Sequence, residues 1–157
     1  MLEIRRLAEI NSQESAQILS ILSEAFEGEF SHEDWLHTFG GYRFLGFLNN
    51  QLIAHGAIVK RRIWVDSEEL IVGYIEGIAV APSKWRKGFG SALMEQISSL
   101  CKSEFSLSML STGEKNFYRK HGWLDFQGES YVLENGMEIR TEDEDEGLML
   151  LPGLNRP

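Results

Sequence analysis

The chain has one cysteine, Cys101, among 157 residues, so no internal disulfide can form. Stability must come from a buried apolar core, and a single domain of this length can bury one. Cys101 lies in an apolar helical stretch, where a buried, inert thiol is the default; a nucleophile needs a helix terminus or a cationic neighbour. Long hydrophobic runs are also missing. Nothing reaches the length of a membrane span, and the opening Met1-Leu2-Glu3-Ile4-Arg5-Arg6 lacks the apolar segment of a signal peptide. A cytoplasmic protein with no membrane partner is expected. Positive charge is scarce: 15 Lys and Arg stand against 24 Asp and Glu, a net charge of −9. That balance argues against nucleic acid, whose phosphates need a basic surface, and suits a cationic ligand. His32, His37, His55 and His121 do not stand at metal-ligand spacing, and no metal site is expected. Repeats, linkers and low-complexity tails are absent, so one domain over residues 1–157 is expected.

What is present is one informative stretch, residues 73–93, reading GYIEGIAVAPSKWRKGFGSAL. Tyr74, Ile75, Ile78, Ala79 and Val80 have strand character and surround one carboxylate, Glu76. The strand breaks at Pro82. A basic, glycine-containing turn follows, Lys84 to Gly90, and Ser91-Ala92-Leu93 opens a helix. A strand, a glycine turn and a helix N-terminus make an anion site, because the first helical N–H groups lack internal partners and the helix dipole favours negative charge. Lys84, Arg86 and Lys87 add positive charge there. The same pattern also occurs in ordinary strand-to-helix crossovers.

Along the chain, residues 2–7 alternate as a half-buried strand. Asn11 or Ser12 can cap a helix whose apolar face is Ile18, Leu19, Leu22, Ala25 and Phe26, closed by Gly28. Ser31 caps a second, short helix, with Asp34 completing a capping box. Residues 43–48 and 52–65 read as a hairpin around Asn49-Asn50, and 66–69 as the turn into the central strand, 70–80. A helix over 89–102, a strand over 105–111 and a short helix over 114–121 follow. Short strands over 123–126 and 131–133, an acidic loop over 141–147 and a last strand over 148–151 complete one mixed domain.

Val80-Ala81-Pro82, then Gly88-Phe89-Gly90 and an apolar helix, resembles motif A of the Gcn5-related N-acetyltransferases (GNAT). In that family the loop amides hold the pyrophosphate of acetyl-CoA. The family pattern has Arg or Gln three positions before the first glycine, where this chain has Trp85. The resemblance implies an α/β (α+β) fold. Its mostly antiparallel sheet has six to seven strands, the fourth and fifth splayed around the pantetheine arm, and about four helices flank it. Further blocks resemble the aminoglycoside 2′-N-acetyltransferases within that superfamily: Phe26 to Phe30, Asp34-Trp35, His37-Thr38, Gly40-Gly41, Ile53-Ala54-His55, Arg61-Arg62, Gly73 to Val80, Leu110-Ser111, Tyr118, Gly122-Trp123, Arg140-Thr141 and Leu151-Pro152. Those enzymes run on past the Leu-Pro block into a segment that touches the drug. This sequence stops at Pro157, so the expectation is a pocket lacking part of its wall unless a partner subunit, as in a homodimer, supplies it.

The resemblance also assigns roles. Acetyl transfer needs a neutral nitrogen, and an amine with a pKa of about 10.4 is neutral in roughly one molecule per few thousand at pH 7. Glu76 matches the family's base, acting through water; its alternative is a structural pair with Arg61 or Arg62. The backbone N–H of Ile78 is the expected oxyanion donor. Tyr118 matches the general acid that protonates the leaving thiolate; its alternative is a packed aromatic. Ile78, Ala79, Val80, Trp85, Arg86, Lys87, Gly88, Phe89, Gly90, Ser91, Ser111, Asn116 and Tyr118 are the expected contacts to acetyl-CoA. Glu29, Asp34, Glu76, Asp143 and Glu144 match the carboxylates of the aminoglycoside pocket. Asp34 can equally serve its helix N-terminus, and the run over 142–146 can be a solvated acidic loop. Three functions follow: acetylation of an aminoglycoside-like polyamine, acetylation of another small or protein amine, or non-catalytic acyl-CoA binding.

Overall fold

A computed structural model describes residues 1–153; the side chain of Asp143 lies outside the described residues, as do residues 154–157. The chain runs β1 (Leu2–Leu7), α1 (Ser12–Ala25), α2 (His32–Leu36), β2 (Gly41–Leu48), β3 (Gln51–Val65), β4 (Glu68–Val80), α3 (Phe89–Glu104), β5 (Leu107–Ser111), α4 (Lys115–Arg119), β6 (Leu124–Asp125), β7 (Tyr131–Glu134), β8 (Met137–Arg140), α5 (Glu142–Asp145) and β9 (Leu148–Pro152). Seven strands form one sheet in the order β1-β2-β3-β4-β5-β9-β6. Every neighbouring pair in it is antiparallel except β4 and β5. The parallel pair needs a crossover, which α3 supplies.

Local chemistry sets the element ends. Asn11 accepts from the Glu14 N–H at 2.8 Å, and Glu14 accepts from the Asn11 N–H at 2.9 Å, a reciprocal cap on α1. Ser31 and Asp34 cap α2 in the same way. Two tight turns, Asn49-Asn50 (φ 51° and 64°) and Asp66-Ser67 (φ 48° and 72°), close the β2–β3 and β3–β4 hairpins with both central residues left-handed.

Two apolar layers cover the sheet. On one face Ile18, Ile21 and Leu22 of α1 and Trp35 of α2 pack on Leu45 and Ala79. On the other, Leu93, Met94, Ile97 and Cys101 of α3 and Tyr118 of α4 pack on Phe44, Ile58 and Ile75. Cys101 is the buried thiol expected, and burial pushes its pKa up to about 11.

Two readings of the C-terminal third are corrected. The strand at 131–133 does not stand alone: β7 pairs with β8, a strand the sequence reading missed, in a separate two-stranded ladder. Asn135 (φ 51°) and Gly136 (φ 79°) make its turn. The acidic stretch contains a helical turn, α5, whose Asp145 takes Arg140 at 2.5 Å and the Ser130 N–H at 2.8 Å, locking the base of that hairpin. The four helices expected to flank the sheet are α1 to α4.

Candidate active site

β4 and β5 keep register at only two pairs, Gly73 with Ser108 and Tyr74 with Met109. Beyond them β4 runs on through Glu76 to Val80 with no β5 partner, so a cleft opens between the two strands. Its floor is irregular. The β3 ladder pairs Ala57 with Glu76 and His55 with Ala79, leaving Gly77 and Ile78 opposite Gly56 alone. Gly77 has φ +63°, the left-handed conformation that a bulge of this kind needs and glycine adopts without strain.

One end of the cleft is the N-terminus of α3. Gly88 caps it with φ +82° and no side-chain hydrogen bond, leaving the first helical amides without a side-chain partner. Trp85, Arg86, Lys87 and Gly88 are exposed, so the turn is open rather than plugged. Arg86 is itself left-handed at φ 62°. Trp85, where the family has Arg or Gln, donates its indole N–H to the Val80 carbonyl at 2.7 Å, bracing the turn against the end of β4. A Cβ on Gly90 would meet Phe117 at 3.5 Å and Val80 at 3.7 Å, ordinary contacts, so the fold itself does not demand glycine there.

Across the cleft, Tyr118 packs in the same cluster as Ile78, Val80 and Phe89. It is 8% exposed. Burial, with Glu114 adding, pushes its pKa up to about 12. Asn116 is exposed, and its side-chain oxygen accepts from Arg119. Ser91 is partly buried in the first turn of α3, and Ser111 is exposed at the end of β5.

The second wall is charged. Glu76 accepts from Arg61 at 2.5 Å, their side chains 22% and 33% exposed. Burial raises the Glu76 pKa above its usual range; Arg61 and then His37 oppose this, and Asp34 adds to it. The Arg61 guanidinium also lies 4.3 Å from the centre of the Tyr74 ring. Burial raises the Tyr74 pKa, with Glu76 and Glu144 contributing the same way. Glu76 and Glu144 thus both act on Tyr74, and Asp34 acts on Glu76. The alternatives weighed for Glu76 and Asp34 are both present as contacts: Glu76 is paired, and Asp34 caps α2. Glu29 has no contact tying it to this group among the described residues.

Sequence reasoning missed Tyr74, His37 and the buried pair Arg43 and His55. The last pair had a signal: Arg43 and His55 are polar residues inside otherwise apolar strand stretches, and they are 4% and 0% exposed. Among the described residues no helix is long and apolar enough to cross a membrane. A separate hollow of about 390 Å³ is lined by Lys115, Asp125, Phe126, Gln127, Gly128, Asp145 and Glu146, none of them a residue of this cleft.

Comparison with known proteins gives three kinds of match. The family model of the acetyltransferase (GNAT) domain matches residues 4–124. An aminoglycoside 2′-N-acetyltransferase of Mycolicibacterium fortuitum is 38% identical over 132 residues, which are 82% of this chain and 67% of that protein. Among solved structures, Escherichia coli ElaA superposes with a TM-score of 0.68 at 20% identity over 96% of this chain and 99% of its own. The Escherichia coli ribosomal-protein-S18-alanine N-acetyltransferase gives 0.67 at 19% identity over 100% and 99%. Eis1 from Mycobacterium abscessus gives 0.68 at 18% identity, over 83% of this chain and 33% of its own, so this chain spans about a third of that protein. At such identities the structures speak for the fold alone.

Proposed function

The chain belongs to the GNAT acetyltransferases, and from that premise we propose that it transfers the acetyl group of acetyl-CoA to a primary amine of a cationic small molecule, of aminoglycoside type. The observation that supports this most is the cleft itself: a β4–β5 opening with an exposed turn and a helix N-terminus that no side chain caps at one end, and Glu76 and Tyr118 on its walls. The residues fit the carrier. The α3 amides, with Arg86 and Lys87 near them, suit a pyrophosphate, and Gly90 leaves room for close approach.

When bound, acetyl-CoA supplies an activated acyl thioester. Every other task falls to the protein. Glu76 takes the ammonium proton, directly or through water. Burial helps by lifting its proton affinity toward that of a base working near neutral pH. The Ile78 N–H, in the bulge, faces the oxygen on which charge develops. Tyr118 keeps its proton at every working pH and offers it to the departing sulfur. Asp34, Glu76 and Glu144 draw the cationic acceptor in; Asp143 belongs to the same set by sequence.

A second acceptor class has one observation in its favour. Arg61 already balances the Glu76 charge, so the wall holds less net negative charge than a polycation would call for, and a monoamine or a protein N-terminus asks for less. Acceptor profiling separates the two. Thiol release from acetyl-CoA is followed with kanamycin-type aminoglycosides, simple polyamines and a peptide amine. Release with the aminoglycosides alone supports the first reading, and release with the peptide alone replaces it with the second. Tight coenzyme A binding with no release on any amine reduces the protein to an acyl-CoA-binding module.

A further inference from the structure

A buried polar chain runs behind the bulge. Arg43 donates from Nη1 to His55 Nε2 at 3.1 Å, and His55 Nδ1 lies 2.7 Å from the Gly77 carbonyl oxygen. Arginine has no acceptor, so Nε2 must accept; the carbonyl can only accept, so Nδ1 must carry the hydrogen. One neutral tautomer satisfies both contacts. Burial holds the ring neutral, its pKa down to about 4, the Arg43 charge adding to this while the Gly77 bond opposes it. With His55 fully buried, it cannot exchange protons with a substrate. Arg43 is fixed in turn, its guanidinium 4.7 Å from the centre of the Trp35 ring and 4.3 Å from that of Phe39. Thr38 closes over the site: a Cβ on Gly77 would stand 3.4 Å from its methyl and 3.2 Å from the imidazole.

The Gly77 carbonyl and the Ile78 N–H belong to one peptide unit. In a trans peptide they point in opposite directions, so a grip on one end sets the heading of the other. Both residues have slipped out of the β3 ladder, which elsewhere in the strand provides that grip. We propose that His55, held by Arg43, is a positioning residue for acetyl transfer: it fixes the Gly77–Ile78 peptide and thereby the direction of the Ile78 N–H. This rests on the reading of that N–H as the oxyanion donor. His55 touches no reacting atom.

The two ring nitrogens can be separated by substitution. The asparagine Nδ2 sits where Nδ1 does, so His55→Asn keeps a donor for Gly77 but strands Arg43. The glutamine amide reaches the Nε2 position, so His55→Gln keeps an acceptor for Arg43 but releases Gly77. Turnover and stability should therefore move oppositely. His55→Gln should lose about 10- to 100-fold in kcat, the scale of a misplaced oxyanion donor, with the KM for acetyl-CoA unchanged. His55→Asn should recover most of that kcat yet unfold at lower temperature than His55→Gln. A merely structural histidine makes kcat follow the unfolding temperature in both variants, and that result overturns the proposal. Imidazole ¹⁵N NMR of the unsubstituted protein gives a reading independent of turnover and of how the variants fold. Protonation at Nδ1 is expected, and a hydrogen on Nε2 refutes the arrangement. If no amine is acetylated at all, the proposed function fails while the tautomer still tests the Arg43–His55–Gly77 chain.

Discussion

Glu76→Gln separates the two roles open to Glu76. As a partner of Arg61 it sits in a half-wet pair, the side chains 22% and 33% exposed, so solvent screens much of the attraction. Losing the carboxylate should cost about 1–2 kcal/mol, between a surface pair and a fully buried one. A domain with a typical stability of about 5–15 kcal/mol remains more than about 99% folded after such a loss. Unfolding cannot then mimic a large fall in rate. As a base, Glu76 should account for about 10²- to 10⁴-fold in kcat. The assay is thiol release at saturating acceptor across pH, beside a urea titration of each variant. Arg61→Met gives the complementary sign. Removing the cation takes away the charge that holds the Glu76 pKa down, so the acid limb of the pH profile should move to higher pH while turnover above it persists. If Glu76→Gln keeps kcat within about threefold, or the acid limb is unmoved by Arg61→Met, the base assignment is wrong.

Further outcomes are expected. Tyr118→Phe should lower kcat by about 10²-fold, the low end of acid catalysis, without shifting the basic limb, because the hydroxyl ionises only at about 12; a basic limb that vanishes in the variant contradicts this. Gly90→Ala should unfold at the same urea concentration yet bind coenzyme A more weakly, since its Cβ meets only ordinary protein contacts. Gly88→Ala, at φ +82°, should cost about 1–2 kcal/mol, read from urea titrations. His55 sets a pH dependence of stability. Its folded pKa lies near 4 against 6.5, so between those values the unfolded chain binds the extra proton. Its contribution, about 3 kcal/mol at most, is complete above pH 6.5 and is lost as pH falls toward 4. The difference between the parent and His55→Asn in urea at pH 7 and pH 5 isolates it.

The sheet through Val80, the caps of α1 and α2 and the open turn before α3 were all legible, because each rests on local chemistry: alternation, capping boxes, left-handed Asn pairs and glycine. The β7–β8 hairpin has a local signal in Asn135-Gly136, but its strands are four residues each and largely exposed, so little apolar alternation marks them in the sequence. The acidic stretch read as a solvated loop because charge patterning does not reveal that Asp145 pairs with Arg140. Arg43 and His55 could not be joined from sequence, since their contact depends on the β2–β3 register and on the bulge opposite Gly56. The Arg61–Glu76 pair was foreseen as an alternative; that burial and ion pairing act on Glu76 together needed the packed side chains.

Calorimetric titration of coenzyme A into the folded protein tests the central claim most directly, that the amides around Gly88 and Gly90 seat the carrier's pyrophosphate. A saturable, one-to-one heat that weakens in Gly90→Ala is expected. No saturable heat, or binding indifferent to that substitution, contradicts it.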